Sequence, residues 1–237
     1  RTAYLKAYYP AEFMAATLNS FLGNLDKVPE YIDECKRIGI KILKPDINSS
    51  SSKFTVEFDE SQNKNNQIGQ IRFGLGSIKN VGLQPIDNII KDRNEHGKFE
   101  GFTDFCERIQ ETNVNKKCIE SLIKAGAFDE FNETRRTLME SFESILDTIT
   151  SSNKKELEGQ VNMFDLGGSD SKEMKYTFKE FPEYSRKELL FMEKEMLGLY
   201  ISGHPLDNIR HQIEMQTNIN SFQMRQMENT DEIGDEI

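Results

Sequence analysis

Beyond Gly74 the chain reads as a run of short helical stretches punctuated by glycine, at 75–79, 85–93, 103–109, 116–124 and 134–150. Isolated helices of this length are marginal in water, so these pieces hold their shape only by packing on one another. Ahead of them the pattern differs. Phe13, Met14, Ala16, Thr17, Leu18 and Phe21 form an apolar stripe behind Pro10, a residue suited to a first helical turn. Val28, Tyr31, Ile32, Cys35 and Ile38 recur at helical spacing, and Gly39 closes that helix as a left-handed cap. A strand at 40–43 and a loop through Pro45 and 48–53 follow. The alternating stretch 54–58 is predicted to pair with 70–73 across a polar loop. The expected fold class is therefore mainly α with a small β-hairpin.

From 151 to 183 glycine, serine, aspartate and lysine replace the apolar pattern, which predicts a mobile linker. A last helix begins where Ser185 and Glu188 have capping-box spacing and is expected to run to Gly198. The final twenty residues are polar and are expected to fray.

With 237 residues the chain can bury a real core as one large or two small domains. No apolar run approaches the roughly 20 residues of a membrane span, and Arg1 opens no signal-peptide pattern, so the chain reads as a non-membrane piece of a longer protein. Cys35, Cys106 and Cys118 form no CxxC pair, which argues against a disulfide framework or zinc knuckle and suits a reducing cytoplasm. The net charge is -10, which by itself disfavours nucleic acid. Its distribution changes that reading. Residues 151–237 carry 10 bases against 17 acids, whereas 72–93 carry four bases (Arg72, Lys79, Lys91, Arg93) against two acids.

Within that basic stretch, Ile78-Lys79-Asn80-Val81-Gly82-Leu83 lies between a short helix and an amphipathic one and looks like a helix-hairpin-helix motif. A glycine-bearing hairpin brings backbone close to a phosphate, and the N–H groups opening the second helix donate to its oxygens. Such a grip holds DNA without reading bases. The usual motif has glycine on both sides of the central apolar residue; here the first is Asn80, which tolerates the left-handed conformation. Lys79, Lys91 and Arg93 could add charge. The plainer alternative makes Gly82 only a helix–helix turn.

A second, degenerate hairpin spans 114–131 around Ala125-Gly126-Ala127-Phe128. Ile119, Leu122, Ile123, Phe128 and Phe131 are expected in the core, so its first role is structural; Asn115, Lys116 and Lys117 are either phosphate neighbours or simply a solvated helix start. Gln160-Val161-Asn162-Met163-Phe164 resembles the Gln-x-x-Leu/Met-Phe clamp-binding pentapeptide of bacterial replication proteins. Gln160 would hydrogen-bond while Met163 and Phe164 fill an apolar pocket, unless the pair docks back on its own domain. No catalytic or metal-binding constellation is visible. His96, His204 and His211 lie far apart, and the acidic pairs at Asp33-Glu34 and Glu193-Glu195 are expected on solvated helix faces.

Several stretches together resemble the C-family replicative polymerases, the alpha subunits of bacterial DNA polymerase III. They are TAYLKAYYPAEFMAA (2–16), YIDEC (31–35), PDIN (45–48), FGLGSIKNVG (73–82), LIKAGAFD (122–129), the pentapeptide 160–164 and LGLYISGHPL (197–206). The resemblance implies a tandem helix-hairpin-helix domain following the helical end of a fingers domain. It divides the chain into 1–70 (end of the fingers), 71–150 (DNA-binding hairpins), 151–184 (linker with the clamp motif), 185–215 (closing helices) and 216–237 (approach to an OB domain). It further implies duplex DNA, the sliding clamp and other replisome subunits as partners. The family's magnesium and its catalytic carboxylates belong to a palm domain outside this stretch. A helix-hairpin-helix module of a repair protein and a protein-interaction scaffold are the competing readings.

Overall fold

A computed structural model describes residues 2–22, 27–58, 69–110, 112, 114–157 and 179–216. The chain divides into two compact units, Arg1–Ser202 and Gly203–Ile237.

In the first unit Pro10 separates α1 (Thr2–Tyr8) from α2 (Pro10–Ser20), where it occupies the first turn because it has no N–H to lose there. The apolar stripe of α2 buries Ala11, Met14, Ala15 and Leu18 against α3 (Val28–Arg37), which contributes Val28, Ile32 and Cys35. Gly39 follows α3 with φ 83. The chain then enters a three-stranded sheet in the order β1 (Ile42–Leu43), β3 (Gln70–Arg72), β2 (Thr55–Glu57). The anticipated hairpin is present, with Val56 opposite Ile71 in antiparallel register. The parallel pairing of Ile42 with Ile71 is an addition that no local pattern announced. Because β3 lies between its two neighbours, the boundary expected at residue 70 falls inside the sheet.

A 3-10 turn at Leu75–Ser77 replaces the helix expected at 75–79. Ile78 is extended and Asn80 has φ 63, so no α-helical ladder passes them. Then come α4 (Leu83–His96), α5 (Phe102–Arg108), α6 (Lys116–Ala125) and α7 (Arg135–Leu157). Phe128 packs edge-on against Phe102 and Phe105, at centroid distances of 5.1 and 4.9 Å, and joins α5 to the turn after α6. Ile119, Leu122, Ile123 and Phe128 are buried, and Phe131 packs against them.

Two expectations about the linker require correction. α7 continues through Leu157, past the helix end expected at 150. Residues 179–184 are tied to the start of α7, where the Thr134 hydroxyl donates to the Phe181 carbonyl at 3.0 Å. α8 (Arg186–Leu197) opens on the predicted capping box of Ser185 and Glu188 and ends at Gly198, φ 78.

In the second unit a 3-10 turn at Asp207–Ile209 leads into α9 (Arg210–Gln216). The His204 backbone N–H donates to Asp207 there. No helix among the described residues is long and apolar enough to cross a membrane.

Candidate nucleic-acid interface

The first hairpin is built from an alternation of anchored and exposed residues. Ile78 and Val81 are buried, and Ile86 and Ile89 continue that apolar face along α4. Between them Lys79 and Asn80 are exposed. Asn80 turns the chain through the left-handed region, the role glycine plays in the usual motif, at φ 63. The Lys79 N–H donates 2.9 Å to the Met196 carbonyl, which pins the hairpin to the end of α8.

Gly82 is the N-cap of α4 and supplies no side chain to it. Pro85, in the first turn, has no N–H, so Gly82, Leu83 and Gln84 carry the orphan donors of this helix start. All three residues are exposed. Gly82 has φ -79, which any residue adopts, and an added Cβ would meet only Pro85, at 3.3 Å. Glycine here leaves space above the N–H groups rather than relieving the backbone.

The second hairpin has the same outline and the opposite chemistry. The Asn115 side chain caps α6, accepting from the Cys118 N–H at 2.8 Å. Gly126 ends α6 at φ 80, and Ala127 donates back to Leu122. A Cβ on Gly126 would lie 2.1 Å from the Arg135 guanidinium, so glycine is required there on both counts. Arg135, 5% exposed, donates to both Asp129 carboxylate oxygens at 2.7 Å and to the Lys124 carbonyl at 3.1 Å. The first N–H groups of α7 are already taken: those of Arg135 and Arg136 donate to the Glu183 carboxylate at 2.9 and 3.3 Å. A protein carboxylate thus occupies this helix start.

The electrostatics follow this packing. Burial pushes the Asp129 carboxyl up, but the hydrogen bonds and charge of Arg135, helped by Lys44, hold it below the usual carboxylate range. Glu193, expected on a solvated face, is 1% exposed. It accepts the N–H groups of Ile201 and Ser202 at 3.2 and 3.0 Å and the Ser202 hydroxyl, and lies 3.7 Å from Arg135. Its position was legible in one respect, because it shares a helical face with Leu190 and Leu197.

The candidate residues named from sequence are only partly brought together. Lys79, Asn80 and Gly82 share the exposed tip, and Val81 contributes backbone alone. Lys91 lies exposed further along α4, 3.9 Å from Glu95. Arg93 turns inward: its guanidinium donates to the carbonyls of Ile47 and Ser50 at 2.8 and 2.9 Å, and burial lowers its pKa. It braces the loop before β2 and does not join the exposed set. Lys116 and Lys117 at the second hairpin pair with Asp147 and Glu120 at 3.0 and 3.2 Å. The pentapeptide Gln160–Phe164 lies outside the described residues. Among the described residues no group of three or more His, Cys, Asp or Glu side chains is placed to hold a metal.

A family described as a helix-hairpin-helix motif matches residues 39–138, a span that contains both hairpins. The chain is 41% identical over 221 residues to the DNA polymerase III subunit alpha of Borreliella burgdorferi, covering 93% of this chain and 18% of that protein. It is 42% identical over 214 residues to the subunit of that name from Saccharopolyspora erythraea, covering 87% and 17%. With the Campylobacter jejuni subunit the match is 38% over 238 residues, covering 98% and 19%. The chain spans less than a fifth of the length of these relatives. Over nearly its whole length the chain is thus similar to one stretch of DNA polymerase III alpha subunits, and its central residues 39–138 match the helix-hairpin-helix motif.

Proposed function

We propose that this chain grips the backbone of duplex DNA for a replicative polymerase, without reading sequence. The observation that carries this reading is the uncapped start of α4, where an exposed hairpin presents the N–H groups of Gly82, Leu83 and Gln84 beside Lys79. Backbone donors at a helix start suit phosphate oxygens on any sequence. The relatives' name supports a polymerase over a repair module or a scaffold. In that setting residues 1–70 are the end of a fingers domain and the nucleotidyl-transfer carboxylates come from polypeptide outside this chain. The protein works in the cytoplasm, where the free, buried Cys35, Cys106 and Cys118 stay reduced.

The test is duplex titration across salt, comparing the chain with Lys79→Ala and Gly82→Asp. An aspartate at the N-cap satisfies the α4 donors internally, which favours the fold, and repels phosphate. The expected outcome is unchanged or higher stability with at least about tenfold weaker duplex binding, one factor of ten being 1.4 kcal/mol. Binding that survives both substitutions sinks the assignment.

The same proposal includes tethering to the sliding clamp through Gln160, Val161, Asn162, Met163 and Phe164, and so to the other replisome subunits. Burying Met163 and Phe164 in a partner pocket is worth on the order of 3–6 kcal/mol before ordering costs. A weak pocket affinity then becomes processivity through high effective concentration. The Met163→Ala, Phe164→Ala double variant should lose detectable clamp binding while Gln160→Ala weakens it less. Equal affinities of wild type and double variant would place the contact elsewhere.

A further inference from the structure

We propose that Lys36 and Lys194 extend the phosphate track of the first hairpin, organised by Tyr200; this rests on the duplex-binding reading above. The hairpin is joined to α8 by the hydrogen bond from the Lys79 N–H to the Met196 carbonyl. Two residues before Met196, Lys194 stands on the exposed face of α8. The left-handed turn at Gly198 folds the chain back, so that the Tyr200 ring lies under the Lys194 ammonium, 4.9 Å from nitrogen to centroid. From the other side Lys36, in the last turn of α3, donates to the Tyr200 carbonyl at 3.4 Å. The ammonium groups of Lys36 and Lys194 thus meet at Tyr200, and Lys79 is fixed to the same segment, 194–200, through its backbone.

Their charge is little opposed. Among the described residues, Lys79 and Lys194 have no carboxylate within salt-bridge distance. Lys36 has Asp33 at 4.0 Å, an exposed and long pair of the kind that contributes little. Glu195, the neighbouring acid on α8, acts on Lys124. Glu34 is engaged by Arg37 and Lys6 at 2.8 and 2.9 Å. A cation held over an aromatic face loses less freedom on meeting a phosphate than a free lysine does. Tyr200 is a positioning residue here, and the two lysines are the contacts.

The experiment is the salt dependence of binding to a random-sequence duplex, measured for the whole chain and its variants. Each phosphate contact contributes about 0.9 to the slope of log affinity against log salt. Lys36→Ala and Lys194→Ala are each expected to lower the slope by about that amount, and the double variant by about twice it. Tyr200→Ala should reproduce the loss of Lys194, and Tyr200→Phe, which keeps the ring face, should restore it. Lys187→Ala is the control, since seven residues at 1.5 Å rise place Lys187 about 10 Å away along α8; its slope should not change. A full slope in the Lys36→Ala, Lys194→Ala double variant, with Lys79→Ala still reduced, overturns the extended track and leaves the hairpin reading intact. A full slope in Lys79→Ala and Gly82→Asp as well overturns both.

Discussion

At Asn80 the backbone is held at φ 63, where side chains other than glycine and asparagine are strained by about 1–2 kcal/mol. The neighbouring Ile78 and Val81 are buried and hold that turn in place, so the strain would be felt directly. Asn80→Val is therefore expected to lower unfolding free energy by about that amount, whereas Asn80→Gly should match or exceed the parent. Urea midpoints at constant slope check both. Arg93 shows the converse lesson. It is a cation like Lys79 in composition, but two backbone carbonyls claim its guanidinium, and charge counting alone could not separate the two roles.

Among the elements, the starts of α4 and α7 carry the contrast between the hairpins. α4 leaves its first donors open, and α7 gives its own to Glu183. The second hairpin is further locked by Arg135 and Asp129, and this lock has a pH signature. Burial raises the Asp129 carboxyl, but Arg135 and Lys44 together outweigh it, so the group titrates below its unfolded value, about 3.9 for aspartate. A depressed pKa means that its stabilisation is fully present above about pH 4 and is lost as pH falls through the depressed value. Asp129→Asn should therefore lower stability at neutral pH and flatten the decline in urea midpoint below about pH 4. An unchanged acid limb would place that stability in other carboxylates.

For the molecule as a whole, the net charge of -10 opposes any polyanionic partner, and the opposition is concentrated at one end. Residues 217–237 hold one base, Arg225, against five acids, so deleting them takes the net charge from -10 to -6. The shortened chain is expected to bind duplex more tightly at low salt, with the advantage shrinking as salt rises from about 50 to 200 mM. Parallel titrations of the two forms measure this. An identical affinity at every salt concentration would show that the acidic residues exert no field at the hairpin.

The amino-acid sequence by itself determined much of the local structure and the resemblance to replicative polymerase subunits. Helical spacing placed α2, α3 and α6, the Ser185–Glu188 spacing placed the start of α8, and the Ile78–Leu83 stretch located the first hairpin. These features depend on neighbours within a few residues, which is the range that periodicity and capping report. Tertiary structure alone decided the parallel pairing of β1 with β3, the withdrawal of Arg93 and the meeting of Lys36 and Lys194 at Tyr200. Each joins groups far apart in the chain. What decides them is where packed elements place a carbonyl, a ring or a carboxylate, and no pattern within one segment carries that distance.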